Sequence, residues 1–408
     1  MSNEFYQTDI GKIPAGWQPH KVGELVSFSG GSQPNKNTFK FRSCAGYIRL
    51  IQIRDYKSDK YETYIPESLA RKTCDENDVM IGRYGPPIFQ ILRGIKGAYN
   101  VALIKASPCE KLDKEFFYHF IKNENLFSLM DALSRRSSGQ TGVDLPALRE
   151  YPLPLPNTEE QTAIANSLSD VDVLITSLEK LITKKRAIKT AAMQQLLTGK
   201  KRLPGFEGDW SIISMNTHAT LKARIGWQAL TTNEYLDQGD FYLVTGTDFK
   251  GGRVDWSTCH YVDEWRYSQD RNIQLQNGDV LLTKDGTIGK VGYVDKLGAP
   301  ATLNSGVFVI RPVKESFYPL FLFYILSSRI FDNFLNRITA GSTITHLYQK
   351  DFVTFEFFAP SLTEQEAISE ILSTMDDEIE LLQYRLHKTQ QLKQGMMQEL
   401  LTGRTRLI

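Results

Sequence analysis

The sequence predicts an α+β fold: two mixed, strand-rich globular segments separated by two long antiparallel coiled-coil helices, the whole a pseudo-two-fold tandem repeat. Three observations predict it. A 48-residue segment beginning at Pro156 recurs without a gap from Pro360, an offset of 204 in a chain of 408 residues, with 20 of the 48 positions identical. In both copies apolar residues recur at alternating four- and three-residue steps, which is the pattern of a coiled-coil seam. Between the copies lie short β-branched runs bounded by Gly or Asp, which read as strands.

The repeat divides the chain into 1–155, a central helix and spacer at 156–203, 204–359, and a C-terminal helix and spacer at 360–408. In the first segment Gly46-Tyr47-Ile48-Arg49-Leu50-Ile51-Gln52-Ile53 reads as a strand followed by a turn, as does Phe241-Tyr242-Leu243-Val244-Thr245-Gly246-Thr247 in the second. Further strands are expected at 79–81, 101–104, 280–283, 291–294 and 307–310. Amphipathic helices are expected at 116–129 and 317–334, ahead of glycine-containing loops at 137–142 and 340–343. Fainter echoes link the segments: Lys12-Ile13-Pro14 with Trp17 against Arg202-Leu203-Pro204 with Trp210, and Ser138-Gly139-Gln140-Thr141 against Ala340-Gly341-Ser342-Thr343. The phase of the repeat predicts that the two termini lie close together.

In the first long helix the seam runs through Ile164, Leu168, Val171, Ile175, Leu178 and Ile182. In the second it runs through Ile368, Leu372, Met375, Ile379, Leu382 and Leu386. Thr158-x-x-Gln161 and Thr363-x-x-Glu366 are candidate capping boxes. Continuing the register puts Lys185, Lys189, Thr389 and Lys393 on the seam, which predicts a slip of phase. Ile188/Leu392, Met193/Met397 and Leu196/Leu400 are expected to take over. Gly199 and Gly403 read as C-terminal stops. A helix of roughly 40 residues would be about 60 Å long.

Composition narrows the function. The chain carries 48 Lys+Arg against 47 Asp+Glu, a net charge of +1, so any nucleic-acid surface must be local or shared with a more basic partner. No run is long and apolar enough for a membrane span, and the amino terminus lacks a signal peptide's pattern, so a cytoplasmic location is expected. Cys44, Cys74, Cys109 and Cys259 lie too far apart for zinc-ligand spacing, so no metal is expected. No catalytic residues emerge. Gly85-Pro86-Pro87-Ile88 lacks the leading amide or carboxylate and the stacking aromatic of an adenine-N6 methyltransferase motif. The stretch from Gly286 to Val291 is too short for a phosphate loop. His119 and His346 read as structural or contact residues.

The paired endings Gln194-Gln195-Leu196-Leu197-Thr198-Gly199 and Gln398-Glu399-Leu400-Leu401-Thr402-Gly403 resemble the specificity (S) subunits of Type I restriction–modification systems. So do Ile13-Pro14-x-Gly16-Trp17 and Leu153-Pro154-Leu155-Pro156, and the resemblance covers nearly the whole chain. It implies that 1–155 and 204–359 hold two target recognition domains, each reading one half of a bipartite, asymmetric DNA site. The helices would set the gap and dock two methyltransferase (modification) subunits, with two restriction subunits where these are present. It implies no cofactor in this chain: S-adenosylmethionine, ATP and Mg2+ belong to the partners. Loop residues able to meet base edges or phosphates are the candidate DNA contacts. In the first domain these are Arg83, Tyr84, Gln90, Arg93, Ser138, Gln140 and Thr141. In the second they are Lys284, Asp285, Thr287, Lys290, Ser342, Thr343 and His346. Two other readings stay open on the residues alone, a self-contained DNA methyltransferase and a structural coiled-coil adaptor.

Overall fold

Two helices of 39 residues, Thr158–Leu196 and Leu362–Leu400, occupy the two copies of the repeat. The computed structural model describes residues 5–9, 11–136, 142–225, 230–339 and 346–407. The chain divides into a first unit, Met1–Glu179 with Tyr384–Ile408, and a second, Lys180–Gln383. Each unit therefore holds the start of one long helix and the end of the other.

The helix starts differ from the expected capping boxes. Asn157, not Thr158, caps the first helix, its Oδ1 accepting from Glu160 N at 2.8 Å. The second begins at Leu362, with Ser361 before it. Gln161 and Gln365 tie each helix start to the globular part, their Nε2 donating to the Pro156 and Pro360 carbonyls. Gln161 Oε1 accepts from Asp113 N at 2.7 Å, and Gln365 Oε1 accepts from Tyr318 N at 2.9 Å. Gly199 and Gly403 stop the helices in left-handed backbone, φ 68° and 67°, as expected.

In the first unit the helical parts run antiparallel, since Glu160 pairs with Arg406 and Asp172 with Lys393. Ile164, Leu168 and Leu178 are buried, while Val171, Ile175 and Leu386 are half-buried. In the second unit Arg202–Glu364, Lys189–Asp376 and Lys185–Glu378 give the same antiparallel sense. There Ile182, Ile368, Leu372 and Ile379 are buried, with Met375 and Leu382 half-buried.

The expected slip of phase does not occur. Ile188 and Leu392 are 44% and 59% exposed, whereas Lys189 and Lys393 are half-buried and Thr389 is 7% exposed. The reason is electrostatic: Lys393 Nζ lies 2.6 Å from Asp172 Oδ1, and Lys189 Nζ lies 2.5 Å from Asp376 Oδ1. A carboxylate on the facing helix takes the ammonium while the lysine stem covers apolar neighbours, so a charged residue can keep the seam in register. Met193, Met397, Leu196 and Leu400 do join the cores, as expected.

Each globular part is built on strands. In the first unit Val26–Gly30, Leu103–Pro108, Val79–Gly82 and Ile91–Leu92 form an antiparallel sheet in that order. A second sheet pairs Tyr47–Ile51 in parallel with Gly97–Tyr99. In the second unit Ala219–Lys222, Val307–Pro312, Val280–Thr283 and Val291–Tyr293 repeat the antiparallel order. Phe241–Val244 pairs in parallel with Ala301–Leu303.

The stretches expected as single helices at 116–129 and 317–334 are each two. Lys114–Phe120 precedes Glu124–Arg136, and Pro319–Leu326 precedes Arg329–Thr339. Polar side chains interrupt them: Asn123 Oδ1 accepts from Asn125 N at 2.8 Å, and Ser328 Oγ accepts from Ile330 N at 3.2 Å, each starting a new helix.

The first core joins Trp17, Phe116, Phe117, Leu168, Leu400 and Leu401; the second is richer in rings, among them Phe321, Tyr324, Phe331, Phe352 and Phe355. At the edge of the first, the buried Glu160 carboxylate accepts from Trp17 Nε1 at 2.9 Å and from Arg406 at 2.5 and 2.7 Å. Arg406 also donates to the Ala15 carbonyl at 2.8 Å, so residues near the two ends of the sequence meet within this unit.

Candidate nucleic-acid interface

Strand register decides which loops meet. In the first unit Gly82 lies opposite Leu103 and Gly30 opposite Ile104, so the ends of two strands and the start of a third reach one edge of the sheet. Asn100 fastens this edge to the neighbouring sheet: its N donates to Ile51 O at 3.1 Å, and its Oδ1 accepts from Ala102 N at 3.1 Å. Arg83 is then clamped by its backbone. Its N donates to Ala102 O at 2.8 Å, and its O accepts from Val143 N at 3.1 Å.

The second unit builds the same clamp. Asn304 N donates to Val244 O at 3.0 Å, and its Oδ1 accepts from Gly306 N at 3.2 Å. Lys284 N donates to Gly306 O at 2.9 Å, and its O accepts from Leu347 N at 2.8 Å. Arg83 and Lys284 thus occupy equivalent places, and Tyr84 corresponds to Asp285.

The side chains on this shared backbone differ. The half-buried Arg83 guanidinium lies 5.3 Å from the Tyr84 ring centroid and has no hydrogen-bond or ion-pair partner among the described residues. Tyr84 in turn lies against Gly142, where an added Cβ would stand 3.4 Å from the ring. In the second unit Asp285 pairs with the His346 ring, and Lys284 Nζ is 3.9 Å from Asp285. His346 lies 4.7 Å from the Tyr348 ring, centroid to centroid.

Other sequence candidates fall elsewhere. Arg93 grips Glu115 with bonds of 2.7 and 2.8 Å and lies 3.6 Å over the Tyr118 ring, so its guanidinium is already engaged as a brace. Gln90 Nε2 donates to Pro87 O at 2.9 Å, folding its own loop back. Lys290 Nζ donates to Gly246 O at 2.8 Å. Thr287 is exposed, and its carbonyl accepts from Thr283 Oγ1 at 2.5 Å. Ser138, Gln140, Thr141, Ser342 and Thr343 lie outside the described residues. Asn100 and Asn304 were not singled out from the sequence, although they share the helices' offset of 204. The buried Arg224 was not singled out either; its Nε donates to Leu303 O at 2.9 Å beside the second clamp.

His119 is buried. Its Nε2 meets Ser169 Oγ at 3.0 Å, and burial lowers its pKa to about 4, outweighing the attraction of Asp172 at 3.9 Å. Among the described residues no group of three or more His, Cys, Asp or Glu could hold a metal, and no helix is long and apolar enough to cross a membrane.

A family model for the Type I restriction modification DNA specificity domain matches residues 14–190 and 223–393. The chain is 23% identical to the Type I restriction enzyme MjaVIII specificity subunit of Methanocaldococcus jannaschii, over 97% of this chain and 94% of that one. Its fold is similar to that of the S subunit of the Type-I restriction–modification system from M. genitalium, with a TM-score of 0.62, 16% identity, and 94% and 96% of the two chains covered. A chain from a type I R-M system, studied for complex assembly and conformational transition, is similar with a TM-score of 0.55, 17% identity, and 96% and 99% covered.

Proposed function

We propose, for a chain that belongs to the Type I restriction–modification DNA specificity family, that residues 1–155 read one half-site and residues 204–359 the other. As a specificity subunit it is a non-catalytic component with two target recognition domains, and the cofactors belong to the modification and restriction subunits. The observation that carries the assignment of half-sites is the repeated clamp: one backbone arrangement presents Arg83 and Tyr84 in one unit, and Lys284 and Asp285 in the other. An identical scaffold with unlike side chains is what a reader of an asymmetric site needs. Replacing residues 14–155 by another reader and sequencing the methylated sites of a host carrying the complex tests it. One half-site should change while the other half and the gap stay. A change in both halves, or an ungapped palindrome, would refute the assignment.

The helical segments 156–203 and 360–408 set the gap and dock two methyltransferase subunits, joined where present by two restriction subunits, in the cytoplasm. A groove repeated in each unit supports a partner taken up twice. In the first unit, of about 400 Å3, Met397, Gln398 and Thr402 face Lys122 and Asn123. In the second, of about 500 Å3, Met193, Gln194 and Thr198 face Ser327 and Ser328. Gln194/Gln398 and Thr198/Thr402 are the same in both copies although none is fully buried and none belongs to a core, so core packing does not account for their identity. Gln194→Arg with Gln398→Arg should weaken co-purification of the methyltransferase without unfolding the chain; undiminished co-purification would place the docking surface elsewhere.

A further inference from the structure

We propose that Arg83 reads a guanine, donating two parallel N–H bonds to its O6 and N7 in the half-site recognised by residues 1–155. This rests on the reading of that segment as a target recognition domain. Two of the half-buried arginines of this unit are already committed, Arg49 to Asp59 and Glu62 and Arg93 to Glu115. Arg83 keeps its donors free among the described residues while its backbone is fixed on both sides.

The stack beneath it gives direction. The Tyr84 ring lies beside Gly142 and carries the guanidinium at 5.3 Å from its centroid. A cation resting on an aromatic face keeps its in-plane N–H donors available and has less side-chain freedom to lose on binding. A fork of donors matches the two acceptors of guanine in the major groove. It mismatches adenine, which places an amino donor beside N7. Arg42, exposed on the loop after Val26–Gly30 and without a stacking ring among the described residues, has instead the character of a phosphate contact. At the equivalent place in the second unit stand Lys284 and the Asp285–His346 pair, so the guanidinium fork is presented there by the first unit alone.

The test uses the full chain in its complex with the methyltransferase subunits, presented with duplexes randomised through both half-sites and read by methylation. Wild type should give a gapped motif with a guanine in one half. If it gives no gapped motif, the reading of the domains fails and this inference falls with it. Given that motif, Arg83→Gln and Arg83→Lys should each lose discrimination at that one guanine by about ten-fold or more, leaving the other half unchanged. Arg83→Lys guards against a folding defect by keeping the charge. Arg42→Ala should weaken all sequences evenly and reduce the salt dependence. Arg83 variants that behave like Arg42→Ala, or that leave the motif intact, would overturn the assignment.

Discussion

Two polar nodes at equivalent places in the repeat differ by one ring. In the first unit Asp172 holds Lys393 at 2.6 Å and faces the buried His119, whose Nε2 meets Ser169. In the second Asp376 holds Lys189 at 2.5 Å and accepts from the Tyr324 hydroxyl at 3.0 Å, on a helix that also carries Ser373. The carboxylate, the lysine and the serine come from the repeated helices and are identical; the ring comes from the globular part and is not. The comparison teaches how the duplication is organised. The Lys–Asp pairs that hold the antiparallel seam are retained in both copies, whereas the globular parts, which must present different surfaces, have diverged to the point of contact with it.

The largest expected effect lies at a second pair of equivalent sites, the buried carboxylates Glu160 and Glu364. Glu160 has two donors, Trp17 Nε1 and Arg406, whereas Glu364 has Arg202, and Trp210 Nε1 is buried without a partner among the described residues. Arg202→Ala strands the buried Glu364 carboxylate and should be the most destabilising of these substitutions. Arg406→Ala leaves the indole in place and should cost about 1.5 kcal/mol less. Urea unfolding combined with hydrogen exchange resolved by unit measures both. Equal costs would show that the Trp17 hydrogen bond contributes nothing.

Acid should separate the two nodes next. Burial, reinforced by Lys393 and Lys122 and opposed by Asp172 and Glu115, lowers His119 to about 4 against an ordinary 6.5. Between those values the unfolded chain binds a proton that the folded one refuses, so stability contributed by the neutral ring is complete above pH 6.5 and falls as the pH drops towards 4. The span of pKa values corresponds to about 3 kcal/mol at its acid end. Tyr324 is driven upward by burial, then by Asp376, and does not titrate in that window. Exchange measured from pH 7 to pH 4 should loosen the first unit before the second, and His119→Gln should remove the difference. Parallel loosening in both units would refute the assignment of this acid sensitivity to the ring.

The repeat, the seam and the glycine stops were legible in the sequence because they are local and periodic. Asp172 and Asp376 were also in plain view as identical positions, yet periodicity counts lysine as polar. It could not pair Lys393 with an acid 221 residues away. The interface was legible only in part for the same reason. Arg83 and Lys284 are recognisable as equivalent once each is seen to accept from the backbone of Val143 or Leu347. Arg93 read as a free cation until the chain placed Glu115 against it. Loop polarity shows which residues could meet DNA; tertiary partners decide which remain available.

The smallest expected effect tests the register itself, by comparing the seam with the face beside it. Leu178 and Ile379 lie on the seam, 4% and 8% exposed, and truncating either to alanine should cost about 2–5 kcal/mol. Ile188 and Leu392 would lie on the seam only if its phase slipped. In the register held by the Lys–Asp pairs they face outward, so Ile188→Ala and Leu392→Ala should change stability by no more than about 0.5 kcal/mol. Thermal or urea unfolding of the four variants ranks them directly. If Ile188→Ala proved as costly as Leu178→Ala, a partner-free seam would have to run through Ile188, and the ammonium–carboxylate pairs would lose their role in holding the phase.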